Sequence, residues 1–374
     1  MVTEGDATIA LAARLMDLLH GASTTTTYKY ALLLALIDLC QENVGRRDGP
    51  TGSVTTRQVA ERVVELYWPQ TKQHVRTGKV LRQLSGPKRS IPDLVAEHRG
   101  RAPRQATTPH RARLADAAAF EDLIDEVEWV LIRYPIPLLQ RLGGEDLAVL
   151  YSIRWREDPA RGPVRRYQAA LRERGTAAGG FDNRLCFLPD VEVRLAALSG
   201  LLRPLIRREW TRFVAQCNGD KIEDLEVFLF EPQREDLSAC RAPLIELQQG
   251  RCFYCDERLN TAVDVDHFLP WSRCGDDGLH NLVAAHARCN NQKSDHLAAS
   301  AHLSAWRERA TKRSGDLVEI ARQTATPFHA DRSVRLARSM YGGIPAGAPL
   351  WKLRDEFEHA DRARLVEALG EDAA

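Results

Sequence analysis

Residues 263–273 read VDVDHFLPWSR, and this stretch decides how the C-terminal half of the chain is interpreted. Its first four residues alternate between apolar and acidic, which is typical of a half-buried strand. Such a strand places Asp264 and Asp266 on one face, and it ends at His267, shortly before Pro270. Two interpretations follow: a solvated strand end, or a metal-dependent catalytic centre. The residues on either side have to decide between them.

Two pairs of soft metal ligands flank this stretch. Cys252-x-x-Cys255 precedes it, and His286-x-x-Cys289 follows it. Two short-spaced pairs suit a tetrahedral zinc ion with no open position, which indicates a structural site and not a catalytic one. The alternative is four unrelated residues. Cys274 lies between the pairs, and we do not assign it to the metal.

Four short motifs follow one another in this part of the chain. They are Cys252-x-x-Cys255, Asp266-His267-x-x-Pro270, Asn281-Leu282 and Cys289-Asn290-x-x-Lys293. In order and spacing, residues from about 245 to 296 resemble an HNH nuclease module of the ββα-metal type. The intervals from His267 to Asn281 and Asn290 are similar to those in the HNH domain of RNA-guided CRISPR nucleases.

The resemblance implies roles for five residues. His267 is expected to act as general base, because a neutral imidazole can take a proton from water near pH 7. Asp266 and Asn290 offer hard oxygen ligands for one catalytic Mg²⁺ or Mn²⁺. Asn281 corresponds to the middle asparagine, which orients the histidine. Lys293 is a weak candidate for a phosphate contact.

Three polar residues near the module have no role assigned by the motif. Asp264 shares the face of Asp266 and is interpreted as either a second-layer residue or a solvated acid, with the solvated acid preferred. His280 and His296 are expected at the surface.

The N-terminal region carries its charge in blocks. Residues 72–113 hold eleven Lys or Arg against two acids, whereas residues 114–150 are acidic. This division predicts either two mutually attracting surfaces or a basic strip that contacts phosphates. Helices predicted at 28–44 and from Thr55 to Pro69 suggest a unit near 28–68 that resembles a helix-turn-helix.

Several basic residues are weak candidates for nucleic-acid contacts, with a solvated surface as the alternative. They are Lys88, Arg89, Arg99, Arg101, Arg165, Arg166 and Lys293.

The overall pattern predicts an α+β fold with a mainly helical N-terminal region. Three parts are expected: residues 1–235 for recognition or regulation, 240–300 for the nuclease module, and 301–374 as a helical extension. Strands are predicted at 148–155 and 184–188. One long helix, kinked at Pro204, is predicted at 190–218. Further helices are predicted at 298–313, 315–324 and 331–341, and a C-terminal helix is predicted beyond residue 350.

Composition limits the class of protein. The net charge is +1, so a nucleic-acid footprint must come from local asymmetry. No apolar run is long enough for a membrane span and no signal peptide is visible, so we expect a cytoplasmic protein with no membrane partner. The cysteines are then thiols or metal ligands, and Cys40, Cys186 and Cys217 are interpreted as small buried hydrophobes.

The sequence therefore predicts a metal-dependent DNA endonuclease with structural zinc. A role in bacterial restriction or anti-phage defence is expected, with the N-terminal region selecting the target. A mobile-element or phage-packaging nuclease is a near variant, and a non-catalytic zinc-containing DNA-binding or scaffold protein is the alternative. DNA is the expected partner, and a homodimer or partner protein would allow both strands to be cut. The sequence leaves the target, its base modification and any guide RNA open.

Overall fold

In the computed structural model, the chain forms two compact units. Unit 1 comprises Met1–Cys40 and Pro50–Glu231, and unit 2 comprises Gln41–Gly49 and Pro232–Ala374. The structure describes residues 4–21, 25–75, 77–85, 89–142, 144–155, 158–175, 180–219, 224–230, 234–260 and 262–370. The architecture is mostly helical with a few small antiparallel sheets, so the predicted α+β class is confirmed.

The helices and strands run in the following order. Those that begin in unit 1 are α1 (Glu4–Gly21), α2 (Tyr28–Val44), β1 (Ser53–Thr55), α3 (Thr56–Tyr67), α4 (Ile91–Arg101), α5 (Pro109–Ala115), α6 (Ala117–Arg133), α7 (Pro135–Leu138), β2 (Arg141–Leu142), β3 (Glu145–Asp146), β4 (Tyr151–Ser152), α8 (Arg161–Arg174), β5 (Arg184–Phe187), α9 (Val191–Ala197), α10 (Ser199–Asn218) and α11 (Leu225–Phe230). Those of unit 2 are α12 (Arg234–Leu247), β6 (Val263–His267), α13 (Trp271–Cys274), β7 (Leu282–His286), α14 (Ala287–Lys293), α15 (Ser300–Lys312), α16 (Ser314–Thr324), α17 (Ala330–Gly342), β8 (Pro349–Leu353), β9 (Glu356–His359) and α18 (Arg362–Leu369). Short 3-10 helices lie at Pro69–Thr71 and Leu279–Asn281.

Helix α3 begins as the sequence predicts but is buried. Thr55 and Gln58 form the capping box expected at its start. Within the helix only Gln58 and Glu65 are exposed. A recognition helix must present exposed side chains to a DNA groove, so this burial does not fit the predicted helix-turn-helix role.

The buried face of α3 packs on α6 through a polar network. Glu128 is fully buried and accepts hydrogen bonds from Thr56 Oγ1, at 2.5 Å, and from Gln168 Nε2, at 3.0 Å. Tyr167 donates to the same carboxylate over 3.1 Å. Desolvation raises the pKa of Glu128, while these hydrogen bonds and Arg57 oppose the shift. A satisfied network of this kind fixes the alignment of α3, α6 and α8.

The acidic face of α6 is neutralised mainly by arginines from outside the basic block. Arg57 pairs with Glu121 and Asp125, and Arg172 pairs with Asp125 at 2.6 Å. Within residues 72–113, Arg113 joins this set through Glu121 at 3.4 Å. The predicted attraction between the basic and acidic blocks is therefore found at Arg113.

Three predicted elements differ in the structure. The long helix expected at 190–218 is broken at Leu198 into α9 and α10, and Pro204 lies inside α10 without ending it. In the predicted strand at 148–155, only β4 is paired. The predicted C-terminal helix is preceded by the β8–β9 hairpin, because Leu350 and Trp351 are buried in the core of unit 2 and extended backbone places them there.

Unit 2 is built around the hairpin-like pair of β6 and β7. The two strands are antiparallel, with Asp266 opposite Val283 and His267 opposite Leu282. Phe268 follows β6 and stacks on Trp306 of α15, with the ring centroids 5.0 Å apart. Both rings are fully buried, so the chain that follows His267 is held in the core.

No helix in the described parts of the chain is both long enough and apolar enough to cross a membrane.

Candidate zinc and nuclease site

The four predicted zinc ligands lie together. Cys252, Cys255, His286 and Cys289 place one ligand atom each within 4.8 Å of all the others. The turn after α12 brings the first two together, because Cys252 N donates to Glu257 O at 2.9 Å. The other two come from the last residue of β7 and the first turn of α14. The cluster has the donor set and the closeness that a tetrahedral zinc site requires.

His286 is oriented by its second nitrogen. Its Nε2 lies 3.0 Å from Arg258 O, and its Nδ1 lies 3.3 Å from Cys255 Sγ. The carbonyl can only accept, so Nε2 carries the hydrogen and Nδ1 presents its lone pair to the cluster. Burial and the neighbouring Cys252 and Cys255 raise the pKa of Cys289 to about 12. Three thiolates would repel one another here unless a cation lay between them, which fits a zinc ion.

His267 occupies the end of β6 and bonds to a residue that the motif did not single out. Its Nε2 lies 2.8 Å from Asp277 Oδ1. The side chain of His267 is 10% exposed and that of Asp277 is 48% exposed, so the pair lies where the buried module meets solvent. Since the carboxylate accepts, the neutral imidazole carries its hydrogen on Nε2 and keeps its lone pair on Nδ1.

Asn281 has a different set of partners from the one expected by resemblance. Its Oδ1 accepts from Leu269 N at 2.8 Å, and its Nδ2 donates to Leu269 O and Asp276 O, each at 3.0 Å. None of these atoms belongs to the imidazole of His267. The fully buried amide instead holds the main chain on both sides of α13, so its effect on the histidine is indirect.

Lys293 is not a surface residue, which corrects the prediction of a phosphate contact. Its side chain is 0% exposed, and Nζ lies 3.1 Å from Asp266 Oδ2 and 2.8 Å from His267 O. The reason is geometric: the last turn of α14 faces β6, and the Asp266 carboxylate supplies the charge that a buried ammonium needs. Tyr254 also donates a hydrogen bond to Asp266.

Asp264 contacts the proposed magnesium ligand Asn290. The Nδ2 of Asn290 donates to Asp264 Oδ2 at 3.1 Å, and both residues are half-buried. The preferred interpretation of Asp264 as a solvated acid is therefore wrong. Its carboxylate ties α14 to β6 and orients the amide of Asn290.

The oxygen donors on β6 and α14 are of the type that a hard divalent cation takes. Asp266 and Asn290 offer a carboxylate and an amide oxygen, the ligand types that Mg²⁺ prefers. Asp264 and Asp266 together carry two negative charges against the one positive charge of Lys293. This part of the site therefore retains a net negative charge that a cation can offset.

The last residues of this module to be located are His280, His296 and Cys274. His280 is buried, with its ring 4.7 Å from that of Trp306, so the surface role predicted for it is wrong. Burial and the nearby Arg309 and Arg307 lower the pKa of His280 to about 3.

His296 is half-buried. Cys274 is buried with its Sγ 3.7 Å from Pro270 O, and it is not a member of the four-residue cluster.

The predicted nucleic-acid residues of unit 1 differ in how they are engaged. Arg89 and Arg101 both pair with Glu97. Arg99 donates to Trp68 O at 3.1 Å and is half-buried.

Arg165 and Arg166 are exposed on α8. Lys88 lies outside the described residues.

The cysteines away from the cluster are only partly as predicted. Cys40 is buried, as expected for a small hydrophobe, whereas Cys186 and Cys217 are half-buried.

Two residues of the site were missed from sequence. Asp277 and Tyr254 contact His267 and Asp266, respectively. The acidic pair Asp276-Asp277 in the loop after α13 was the available signal for the first of them. Tyr254 lies between the two cysteines of the first ligand pair, where no motif marks it.

Comparison with known families matches two segments of the chain. Residues 252–299 match the family model of an HNH endonuclease. Residues 8–136 match a domain of unknown function (DUF8808). No curated protein matches the chain. The first segment covers the zinc cluster, β6, β7 and α14, so it contains the residues that carry the candidate chemistry.

Proposed function

We propose that this chain is a metal-dependent endonuclease that hydrolyses phosphodiester bonds of DNA. The observation that carries the proposal is the end of β6, where His267 is bonded to Asp277 beside Asp266 within a segment that matches HNH endonucleases. A binding module needs zinc and a basic surface but has no use for an oriented imidazole next to hard oxygen donors.

His267 is the general base in this proposal. The bond from Nε2 to Asp277 leaves the lone pair on Nδ1, which takes a proton from the attacking water. Asp277 then faces the positive charge that develops on the imidazole and stabilises it. A positioned base of this kind contributes about 10²- to 10⁴-fold to the rate.

Asp266 and Asn290 would hold the catalytic Mg²⁺ or Mn²⁺. When bound, the ion supplies positive charge beside the scissile phosphate. Lys293 remains on the buried side of Asp266, where it fixes the carboxylate through Nζ. Asp264 holds Asn290 in place through the amide nitrogen, so that the amide oxygen of Asn290 remains the donor atom.

A structural zinc would fix α14 against β7, and its ligands would be Cys252, Cys255, His286 and Cys289.

Unit 1 is assigned the choice of target. We place the activity in the cytoplasm, in bacterial restriction or anti-phage defence, with exposed arginines such as Arg165 and Arg166 available to contact phosphates. One HNH module has one catalytic histidine, so a second copy or a partner protein would cut the other strand.

A panel of DNA substrates tests the proposal. Purified chain is incubated with unmodified and differently modified phage DNA, with Mg²⁺, with Mn²⁺ and with EDTA. We expect nicks in at least one DNA, dependent on the metal and lost in His267→Ala. Binding to DNA without any cleavage across the panel would favour the zinc-containing DNA-binding protein instead.

A further inference from the structure

A buried ion pair lies behind the loop that carries Asp277. The preceding residue, Asp276, has a side chain that is 0% exposed. Its Oδ2 accepts a hydrogen bond from Ser333 Oγ at 2.6 Å, and its Oδ1 lies 3.6 Å from Arg332 Nη1. Both partners belong to the first turns of α17. A buried carboxylate depends on such partners, so α17 holds the side chain of Asp276, while Asn281 Nδ2 donates to the main-chain oxygen of the same residue.

Arg332 is itself fixed by a residue from the start of the chain. Its Nε donates to Glu42 Oε1 at 2.7 Å. The side chains are 14% and 12% exposed, so the pair is poorly screened by solvent. Glu42 lies in the last turn of α2 and belongs to unit 2, together with the rest of Gln41–Gly49.

Close backbone contact fixes the same segment on α17. A Cβ atom at Gly45 would lie 1.8 Å from Arg335 O, so a residue with a side chain does not fit there unless the backbone shifts. The backbone after Glu42 is therefore packed directly against the helix that carries Arg332 and Ser333. This contact is independent of the ion pair and limits how far Glu42 can move.

We propose that Glu42 is a positioning residue for catalysis: through Arg332 and Asp276, it fixes the turn that holds Asp277 against His267. The inference rests on the proposed function, because His267 matters as a base only if the chain cleaves DNA. A residue 225 positions before the histidine in the chain thus completes the nuclease module. The part of the chain that matches the family model does not contain it.

The position of Asp277 determines how well His267 is oriented. The bond between Asp277 and His267 is 2.8 Å long, and Asp277 is half exposed, so its position depends on its neighbour Asp276. Without Glu42, the guanidinium of Arg332 loses the carboxylate that accepts from its Nε and is held less firmly beside Asp276. Misplacement of a catalytic group by about 1 Å can cost about 10²-fold in rate.

The test uses the full-length chain and three variants. Glu42→Ala removes the carboxylate, and Glu42→Gln keeps an oxygen acceptor for Arg332. Glu308→Ala is the matched control, since it removes an exposed helix ion pair with Lys312 elsewhere in unit 2. The first measurement is the long-range ¹H–¹⁵N spectrum of the histidine rings, in which the His267 signals are assigned by their loss in His267→Asn. The second is the rate of metal-dependent DNA cleavage.

The inference predicts a change in the His267 ring signals of Glu42→Ala, with those of the zinc-cluster His286 unchanged. It also predicts that kcat falls about tenfold while KM stays the same. Glu42→Gln is expected to recover most of both properties, and Glu308→Ala to match the wild type. If Glu42→Ala does not fold, Ser333→Ala is used instead. It removes the hydroxyl that donates to Asp276, and it should change the same His267 ring signals.

Unchanged His267 ring signals in every folded variant of Glu42 and Ser333 would overturn the inference. A kcat of Glu42→Ala equal to that of Glu308→Ala would also overturn it. The spectrum reports the position of His267 whether or not DNA is cleaved. A change in the spectrum without any cleavage by the wild type would therefore reject the proposed function while keeping the structural link.

Discussion

At the level of single residues, the proposed chemistry depends on the bond between His267 and Asp277. The bond assigns the hydrogen of the neutral imidazole to Nε2 and leaves the lone pair on Nδ1, the atom that acts as base in the proposed function. Asp266 cannot take over this orienting role, because its carboxylate is engaged by Lys293 and Tyr254. The two acids beside the histidine therefore have separate functions.

Asp277→Asn tests this assignment. The amide can donate to Nε2 and so favour the other tautomer, in which Nδ1 carries the hydrogen and cannot accept a proton. We expect the single-turnover cleavage rate to fall about tenfold or more, with DNA affinity unchanged. Asp295→Asn serves as the control, because Asp295 is exposed and has no role in the proposed site. Equal rates for the two variants would remove Asp277 from the mechanism.

His280 predicts a specific pH dependence of stability. Its pKa is about 3 in the folded chain, below the ordinary value of 6.5, because burial and two arginines disfavour the charged form. Between these values the unfolded chain binds more protons, so this contribution is complete above about pH 6.5 and is lost as the pH falls. The expected slope is about 1.4 kcal/mol per pH unit. In His280→Phe, the free energy of unfolding measured with urea should depend less on pH over this range, and an unchanged slope would contradict the assignment.

At the level of elements, the four proposed zinc ligands come from the turn after α12, from β7 and from α14, so a bound zinc would connect them. Removing it should release α14, which carries Asn290 and Lys293, from the strands. We expect about one tightly held zinc per chain by metal analysis. Cys289→Ser should lower that content and the melting temperature together, since zinc binding contributes directly to folding. Cys274→Ser is the control, because Cys274 lies outside the cluster, and an equal loss of zinc in both variants would argue against the four ligands.

The sequence was sufficient for elements whose signal is local. Alternation predicted β6, ligand spacing predicted the zinc cluster, and the capping box at Thr55 predicted the start of α3. Contacts between distant residues were not predictable in this way. The burial of Lys293 depends on how α14 packs on β6, and the β8–β9 hairpin depends on the burial of Leu350 and Trp351 in the core of unit 2.

The same limit explains why a helix-turn-helix was predicted near α3. An amphipathic helix with a capping box looks the same in sequence whether its second face meets DNA or another helix. Here α6 supplies acids for the arginine on that face, Arg57, and the face is buried.

At the level of the whole molecule, many charges of the described residues of unit 1 are paired locally. Arg161 and Arg172 of α8 pair with acids of α6, and Arg89 pairs with Glu97. Arg165 and Arg166 have no acidic partner among the residues that the structure describes. Exposed arginines without ion pairs contribute most to phosphate binding, because no internal acid competes with the DNA.

Replacing Arg165 and Arg166 together by Gln should weaken DNA binding and reduce its dependence on salt. The slope of log K against log salt is expected to fall by about 2, which corresponds to two phosphate contacts. Fluorescence anisotropy at several salt concentrations measures this slope. Arg172→Gln on the same helix is the control, since Arg172 is paired with Asp122 and Asp125. The same slope in the double variant and the wild type would exclude this face of α8 from DNA binding.

If His267 is the base of a DNA-cleaving centre, its removal must stop cleavage without weakening DNA binding. DNA cleaved by the wild type in Mg²⁺ is offered to His267→Ala at saturating protein, and the cleavage rate and the dissociation constant are measured together. We expect the cleavage rate to fall about 10²-fold or more, with an unchanged dissociation constant. A variant that binds and cleaves as fast as the wild type would contradict it.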